Sequence, residues 1–365
     1  MSAGDKIAVI STGNGGQALA AYLSMRGCEV ALYARDRERV EMFKDNKFTL
    51  GGVVEGEALI SLISNDMREV VTGARLVMVT TPAQYHHVVG AAMAPHLEDG
   101  QVVVLNPGRT FGTYAFKKTL EDNGCGAKIL LGETDTFVFT CRSATIGRPI
   151  IYKVKNTVRA AAHEGGAMTL RLAGVLSEYF GSIVPAKSVL HTGFSNIGMI
   201  FHPMPILMNI TRVEAKEDYL FYIDGISPLV AGMLEKMDAE RVAVARSFGA
   251  DVEDAGGWLR ECYGSRGDTL YEMIQNTDAY ANVLAPTDID TRYIFEDILT
   301  GCVPVSCAGL RSGVETQVID AVIKWASTLY DIDFRANGRN GDMLDFGEIY
   351  EMAWRLRTEE PTTIR

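Results

Sequence analysis

Four polar side chains interrupt the apolar stretch VLHTGFSNIGMIFHPMPILMNITRVE at residues 189–214: His191, Ser195, His202 and Asn209. Buried polar groups need a partner or a task, so each of them asks for an explanation. Separations of four, seven and seven residues keep them on one helical face at ~100° per residue. Pro203 follows His202 directly, removes a helical N–H and disfavours helical geometry at the residue before it. An imidazole at a broken helix is suited to giving and taking protons near neutrality. The plain alternative is a pair of core histidines bonded to nearby carbonyls. Asn209, last on the stripe, is read as a substrate-binding amide.

A second stretch, DIDTRYIFEDILTGCVP at 288–304, supplies charged partners. Arg292 offers a planar fork for a carboxylate substrate. Glu296 or Asp297 has the charge to orient and stabilise a histidine. Helical spacing pairs Arg292 with Glu296 at i, i+4 and turns Asp297 to another face. Spacing alone does not decide which acid serves the site.

The cofactor is signalled at the other end of the chain. In IAVISTGNGGQALAAYLSMRG, residues 7–27, an apolar strand runs into Gly13-Asn14-Gly15-Gly16-Gln17-Ala18 and then into a helical pattern. This is G-x-G-x-x-A. Gly13 permits a tight turn, Gly15 lacks a Cβ that would block a pyrophosphate, and Ala18 lets helix and strand pack closely. Asn14 and Gly16 lie in the same turn, where a helix N-terminus offers free N–H groups to phosphate. An ordinary glycine-rich turn is the bland alternative.

After the second expected strand, Ala34 stands where NAD-specific sites usually carry an acid, and Arg35 follows, with Arg37 and Arg39 close by. Guanidinium–phosphate pairing favours NADP(H), with NAD(H) as the alternative because Asp36 is adjacent and Arg35 is also able to stack on adenine. Pro82 and Asn106, in the turns TTPA and NPG after later strands, complete the expected cofactor set. N-P-G is also a common turn in its own right.

The elements that must position these groups alternate at first. Short β-branched runs at 6–10, 30–33, 76–80 and 102–105 read as buried parallel strands, with helical stretches at 17–26, 37–44, 84–93 and 113–121 between them. A hairpin insertion is expected between 48 and 63, and strands near 128–131, 137–141 and 150–154 are assigned to the far edge of the same sheet. Beyond about residue 160 the pattern becomes helical, broken by Gly and Pro, with helices expected at 188–201 and 203–212 among others. The expected fold is an α/β Rossmann-type doubly wound domain over 1–185 followed by an all-α helical domain over 186–365, with substrate in a cleft between them.

Composition sets outer bounds. With 365 residues, 47% hydrophobic and 22% charged, the chain reads as globular. A net charge of −11 excludes a basic footprint for nucleic acid or an anionic membrane. Six cysteines without C-x-x-C spacing argue against a metal site and for a reducing cytoplasm. No signal peptide and no apolar run near the ~20 residues of a bilayer span is expected. The apolar helices at 228–237 and 318–329 are read as core or as the surface of a homodimer.

Taken in order, GNGGQA at 13–18, NPG at 106–108, GET…FTCR at 132–142, HP…LMN at 202–209, YG…LYE…Y at 263–280 and RYIFEDI…G…P at 292–304 resemble the opine dehydrogenase family across essentially the whole chain. The resemblance implies a reductive condensation of an amino acid amine with a 2-oxo acid such as pyruvate. It implies His202 as acid–base group, Asp297 rather than Glu296 as its orienting partner, and Arg292 as carboxylate binder. Members preferring NAD tend to carry an acid at the position of Ala34, a departure here. A rival enzyme reading is an NADPH-dependent 2-oxo-acid reductase of ketopantoate or glycerol-3-phosphate type, for which Lys187 and Lys216 are the candidate catalytic lysines. A cofactor-sensing protein without turnover is the rival from another class.

Overall fold

The computed structural model describes residues 4–43 and 45–359. Lys44, the expected end of the second helix, lies outside them. The chain divides into two units: Met1–Gly108 with Gly112–Thr192, and Arg109–Phe111 with Gly193–Arg365. The division falls at 192/193, and three residues of the loop after the fourth expected strand belong to the helical unit.

In the first unit the strands are β1 (Lys6–Ile10), β2 (Glu29–Tyr33), β3 (Lys47–Gly52), β4 (Gly56–Leu59), β5 (Leu62–Ser64), β6 (Leu76–Val79), β7 (Val102–Leu105), β8 (Leu130–Thr134), β9 (Phe139–Thr145), β10 (Arg148–Val154), β11 (Val158–Ala162) and β12 (Ile183–Pro185). Its helices are α1 (Asn14–Met25), α2 (Arg37–Glu41), α3 (Met67–Val71), α4 (His86–Met93), α5 (Gly112–Asp122) and α6 (Gly166–Ser177). The main sheet has eight strands in the order β12-β11-β8-β7-β6-β1-β2-β5. All its neighbours are parallel except β8 and β11.

Alternate residues of β1 serve opposite faces, as the two-residue period of a strand requires. Ile7 and Val9 join the core that contains Leu19 and Leu23 of α1 and Leu172 and Leu176 of α6. Ala8 and Ile10 join the one that contains Val70, Val89 and Phe116 of α3, α4 and α5. Burial on both faces is why KIAVI, LVMV and VVVL read as continuous apolar runs.

The strand order reverses at β1, which has β2 on one side and β6 on the other. Dinucleotides bind at the carboxyl ends of strands at such a reversal. Two expectations are corrected. β9 and β10 do not extend the main sheet; they pair with each other, and β10 pairs with β3, in a separate four-stranded sheet of order β4-β3-β10-β9, while the far edge is made instead by β11 and β12. The strand pattern thus persists to Pro185, because the short run of β12 carries too little periodicity to be told from a loop.

The second unit is helical. α7 (Val189–Phe194) leads into it, followed by α8 (Gly198–Phe201), α9 (Pro203–Met208), α10 (Ile210–Glu214), α11 (Pro228–Ser247), α12 (Ala255–Tyr263) and α13 (Leu270–Gln275). Then come α14 (Arg292–Asp297), α15 (Val303–Ser312), α16 (Gln317–Tyr330), α17 (Phe334–Asn337) and α18 (Phe346–Glu359). Ser227 caps the long helix α11 through Val230 N, and α11 packs against α13, α15 and α16. The continuous run Arg292–Ser312 does have the length and composition of a bilayer span, contrary to expectation, but 72% of its most apolar 18-residue window is buried inside the molecule. A core helix passes the same test.

The two long helices expected over 188–201 and 203–212 are instead four short ones. Ile197 N bonds Ser195 O, and His202 and Asn209 are the joints at which one helix ends and the next begins. The polar stripe is therefore not a continuous helical face.

Candidate functional site

Within the first unit, α1 begins at the strand reversal with no side-chain cap and no acidic residue in its first turn. That leaves its N-terminal potential available to an anion. Gly13 N–H bonds Ser11 Oγ at 3.0 Å. A Cβ on Gly16 would overlap the Ser11 carbonyl oxygen, so only glycine lets the helix start this close to β1. Ala18 is fully buried in the strand–helix contact. A Cβ on Gly15 would lie 2.9 Å from the Phe137 ring, so its missing side chain also makes room for an aromatic residue. The Asn14 side chain accepts from Ser143 N at 3.0 Å, tying the turn to β9.

Ala34 is fully buried at the end of β2. The Arg35 side chain is 88% exposed and pairs with Asp36 at 2.9 Å. Arg39 reaches back to the glycine turn, donating to Thr12 Oγ1 at 3.1 Å and Thr12 O at 2.9 Å. Pro82 opens the short 3-10 turn after β6. Asn106 is 1% exposed; its Oδ1 accepts from Thr134 Oγ1, while its Nδ2 is buried with no acceptor among the described residues. A buried amide donor at a strand's carboxyl end suits the carboxamide of a nicotinamide. These features fit a dinucleotide.

Within the helical unit, His202 is the joint between α8 and α9, with φ −110° and ψ −60°. Pro203 starts α9, having no N–H to offer α8. The His202 Nδ1 is 2.7 Å from Oδ2 of Asp297, a residue with no exposed side-chain surface. Its Nε2 is 3.2 Å from the hydroxyl of Tyr222. Asp297 closes α14, and a π-helical turn, Ile298–Cys302, follows it. Such wide turns recur at functional sites, and Pro304 in the next turn removes a helical donor that would have kept normal register.

Glu296 lies between two guanidiniums. Arg109 donates to its Oε1 at 3.3 Å and Arg292 to its Oε2 at 3.4 Å. The Arg292 side chain remains 56% exposed, leaving donors for a carboxylate, whereas Arg109 is 11% exposed. Arg109 also bonds Asn196 Oδ1 at 3.1 Å and lies 3.8 Å from Asp297 Oδ1. Arg109 and Phe111 hold left-handed backbone, φ 63° and 56°, a strained choice for residues with side chains. The strain is held by Thr110 N bonding Thr300 O, by Arg339 bonding Thr110 O, and by Phe111 packed edgewise on Phe194, Phe248 and Phe346. Gly198 lets Asp297 and Arg109 approach closely: a Cβ there would lie 2.5 Å from Asp297 Oδ1 and 2.8 Å from Arg109 Nη1.

Burial pushes the His202 imidazole below its ordinary value; Arg292 and Arg109 push the same way, against the pull of Asp297. Burial likewise raises the Tyr222 hydroxyl well above its usual range, so it stays a protonated phenol.

The structure thus gathers His202, Asp297 and Arg292, and leaves Asn209 aside. Both protons of the Asn209 amide are committed, to Pro205 O at 2.9 Å and Gly225 O at 2.8 Å, so it braces the α9–α10 joint and does not present a free amide. His191 belongs to the first unit. Arg109, Asn196, Gly198, Tyr222 and Tyr293 were not anticipated. The one available signal was a lone arginine directly after N-P-G; the others are ordinary residues until packing brings them in.

Comparison with known proteins bears on the family. Residues 185–330 match the family model for the NAD/NADP octopine/nopaline dehydrogenase α-helical domain, and 6–112 match that for the NAD-dependent glycerol-3-phosphate dehydrogenase N-terminus. The chain is 36% identical over 343 residues to the opine dehydrogenase of Arthrobacter sp. (strain 1C), covering 92% of this chain and 94% of that one. Octopine dehydrogenase solved with NADH and agmatine shares the fold with a TM-score of 0.79 at 22% identity, covering 99% of this chain and all of the other. Yersinopine dehydrogenase solved with NADP+ gives 0.73 at 15% identity, covering 96% and 99%. The chain belongs to the opine dehydrogenase family, NAD(P)-dependent oxidoreductases that join an amine and a 2-oxo acid by reductive condensation.

Proposed function

We propose that this chain condenses an amino acid with a 2-oxo acid of the pyruvate type, with His202 as acid–base group, Asp297 as its orienting partner, Arg292 as carboxylate binder and NADPH as the preferred reductant. The observation that carries the reading is the buried 2.7 Å contact between His202 Nδ1 and Asp297 Oδ2. A carboxylate in that place fixes the Nδ1–H tautomer and stabilises the imidazolium. The half-exposed Arg292 guanidinium holds a substrate carboxylate in a fixed direction, a positioning role. His202 delivers the proton that the departing oxygen needs when amine and oxo acid lose water. The bound nicotinamide supplies the hydride that reduces the resulting C=N carbon.

The cofactor set is Gly13, Asn14, Gly15, Gly16, Ala18, Arg35, Pro82 and Asn106. Its NADPH preference rests on an exposed Arg35 and an apolar Ala34 where an acid would repel a 2′-phosphate. All six cysteines are free thiols, which fits a reducing cytoplasm. The plain oxo-acid reductase is not favoured: Lys187 and Lys216 are both exposed, and the helical half matches octopine/nopaline dehydrogenases.

NADPH and NADH oxidation with pyruvate, assayed against each common amino acid, tests the reading. Amine-dependent oxidation that falls ~10²–10⁴-fold in His202→Ala while cofactor binding persists is the expected result. Oxidation by pyruvate without amine, or activity of His202→Ala within a few-fold of the parent, overturns it.

A further inference from the structure

Every outlet of the His202 ring is occupied. Each ring nitrogen has one in-plane direction in which it gives or accepts a proton. The Nδ1 direction is taken by Asp297 and the Nε2 direction by the Tyr222 hydroxyl, while the Tyr293 ring covers one face. The Tyr222 ring is fixed in turn, stacked on Tyr280 with centroids 3.9 Å apart and planes 13° apart. A proton on Nε2 has Tyr222 as its acceptor.

We propose that Tyr222 is the hydroxyl through which His202 exchanges its proton with the substrate. The inference rests on the acid–base reading of His202 given above. With the imidazole neutral and Nδ1–H given to Asp297, the phenol donates to Nε2. When the imidazole is charged, Nε2–H donates to Tyr222 Oη, and the phenolic proton is free to point elsewhere. Protonation therefore reverses one hydrogen bond and releases one donor.

The step balances. The Nε2–H bond breaks as its proton moves to Tyr222 Oη, and the phenolic O–H breaks as its proton moves to the hydroxyl oxygen of the carbinolamine formed from amine and oxo acid. The C–O bond then breaks with its electron pair, water leaves, and the nitrogen lone pair closes C=N. Tyr222 ends as a phenol and His202 as a neutral imidazole.

Tyr222→Phe tests this, since it removes one oxygen and keeps the ring stacked on Tyr280. The charged and titratable groups facing this pair are Asp297, Arg292 and Tyr293 of α14, Arg109, Tyr280 stacked on Tyr222, and Tyr263 beyond Tyr222; all are retained in the variant. NADPH affinity is expected within about twofold of the parent, with kcat for condensation about tenfold lower or less than that, and with the limb of the kcat–pH profile assigned to His202 displaced. A kcat within about twofold of the parent overturns the proposal. So does a lowered kcat with a superposable pH profile, which would make Tyr222 a packing residue only.

A measurement on the parent protein guards against a misfolded variant. Above the titration of His202, its ring nitrogen NMR shifts should report the Nδ1–H tautomer, and an Nε2–H tautomer overturns the relay. If His202→Ala is inactive while Tyr222→Phe is normal, this inference falls and the assignment of His202 stands; if His202→Ala is active, both fall.

Discussion

The His202 imidazole lies flat against the Tyr293 phenol ring, centroids 4.0 Å apart and planes 11° apart. Asp297 and the Tyr222 hydroxyl hold the two nitrogen edges of the imidazole, and the stacked ring holds its plane. Tyr293→Leu should therefore lower kcat about tenfold with cofactor affinity nearly unchanged, and Tyr293→Phe should recover most of the loss. Steady-state kinetics beside cofactor titration checks this, and a leucine variant with parental kcat would remove the stack from the mechanism.

Gly198 is the most economical probe of the Asp297 position. An alanine there must push Asp297 Oδ1 or the Arg109 guanidinium aside. The expected cost in stability is about 1–3 kcal/mol, read by denaturant unfolding. The expected loss of kcat exceeds what that destabilisation explains in a still-folded sample, because the displaced atoms belong to the histidine's partner.

Arg109→Met removes the buried cation shared by Glu296, Asn196 and, at 3.8 Å, Asp297. Breaking such a buried pair from one side costs about 3–5 kcal/mol. Arg109 also holds the His202 imidazole down, so its loss should move the histidine titration upward. Unfolding midpoints and a pH–rate profile read the two effects separately.

The sign of the pH dependence follows from burial. In opine oxidation His202 must begin neutral, so kcat/KM should hold above its titration and fall as the pH drops through a point below the ordinary imidazole value of ~6.5. Stability linked to this histidine has the same sense: it is present above the unfolded value and lost as the pH falls below it. The limb should vanish in His202→Gln.

Cofactor choice is testable at Arg35, whose exposed side chain has Asp36 as its ion-pair partner. Arg35→Ala should weaken NADPH about 10–100-fold and NADH by far less. Equal weakening of both would assign Arg35 to adenine stacking, and no change would pass the phosphate to Arg39, already lodged against Thr12.

The β-α alternation and the glycine turn were legible because strand burial on two faces and the demands of a helix–strand joint write themselves into short, local patterns. The helix break at His202 was legible for a similar reason: an imidazole before proline has a local signature. Asn209 misled because a constant angular step was carried through two helix breaks, after which spacing has no meaning. The second sheet was missed because β9 and β10 look like any short strands, and β3, the strand that β10 joins, lies about a hundred residues earlier, Ile150 facing Gly51. Arg109 was invisible for a further reason: its role exists only once Glu296 and Asp297, far along the chain, arrive beside it.

That placement of Arg109, Thr110 and Phe111 bears on any attempt to dissect the molecule. A genetic cut at 192/193 would yield an N-terminal fragment carrying a tripeptide that belongs elsewhere, and a C-terminal fragment with a vacancy among Phe194, Phe248 and Phe346 and two carboxylates short of a cation. The two units are not separable as genes; grafting a foreign helical half onto this nucleotide-binding half would succeed only if residues 109–111 were transplanted with it.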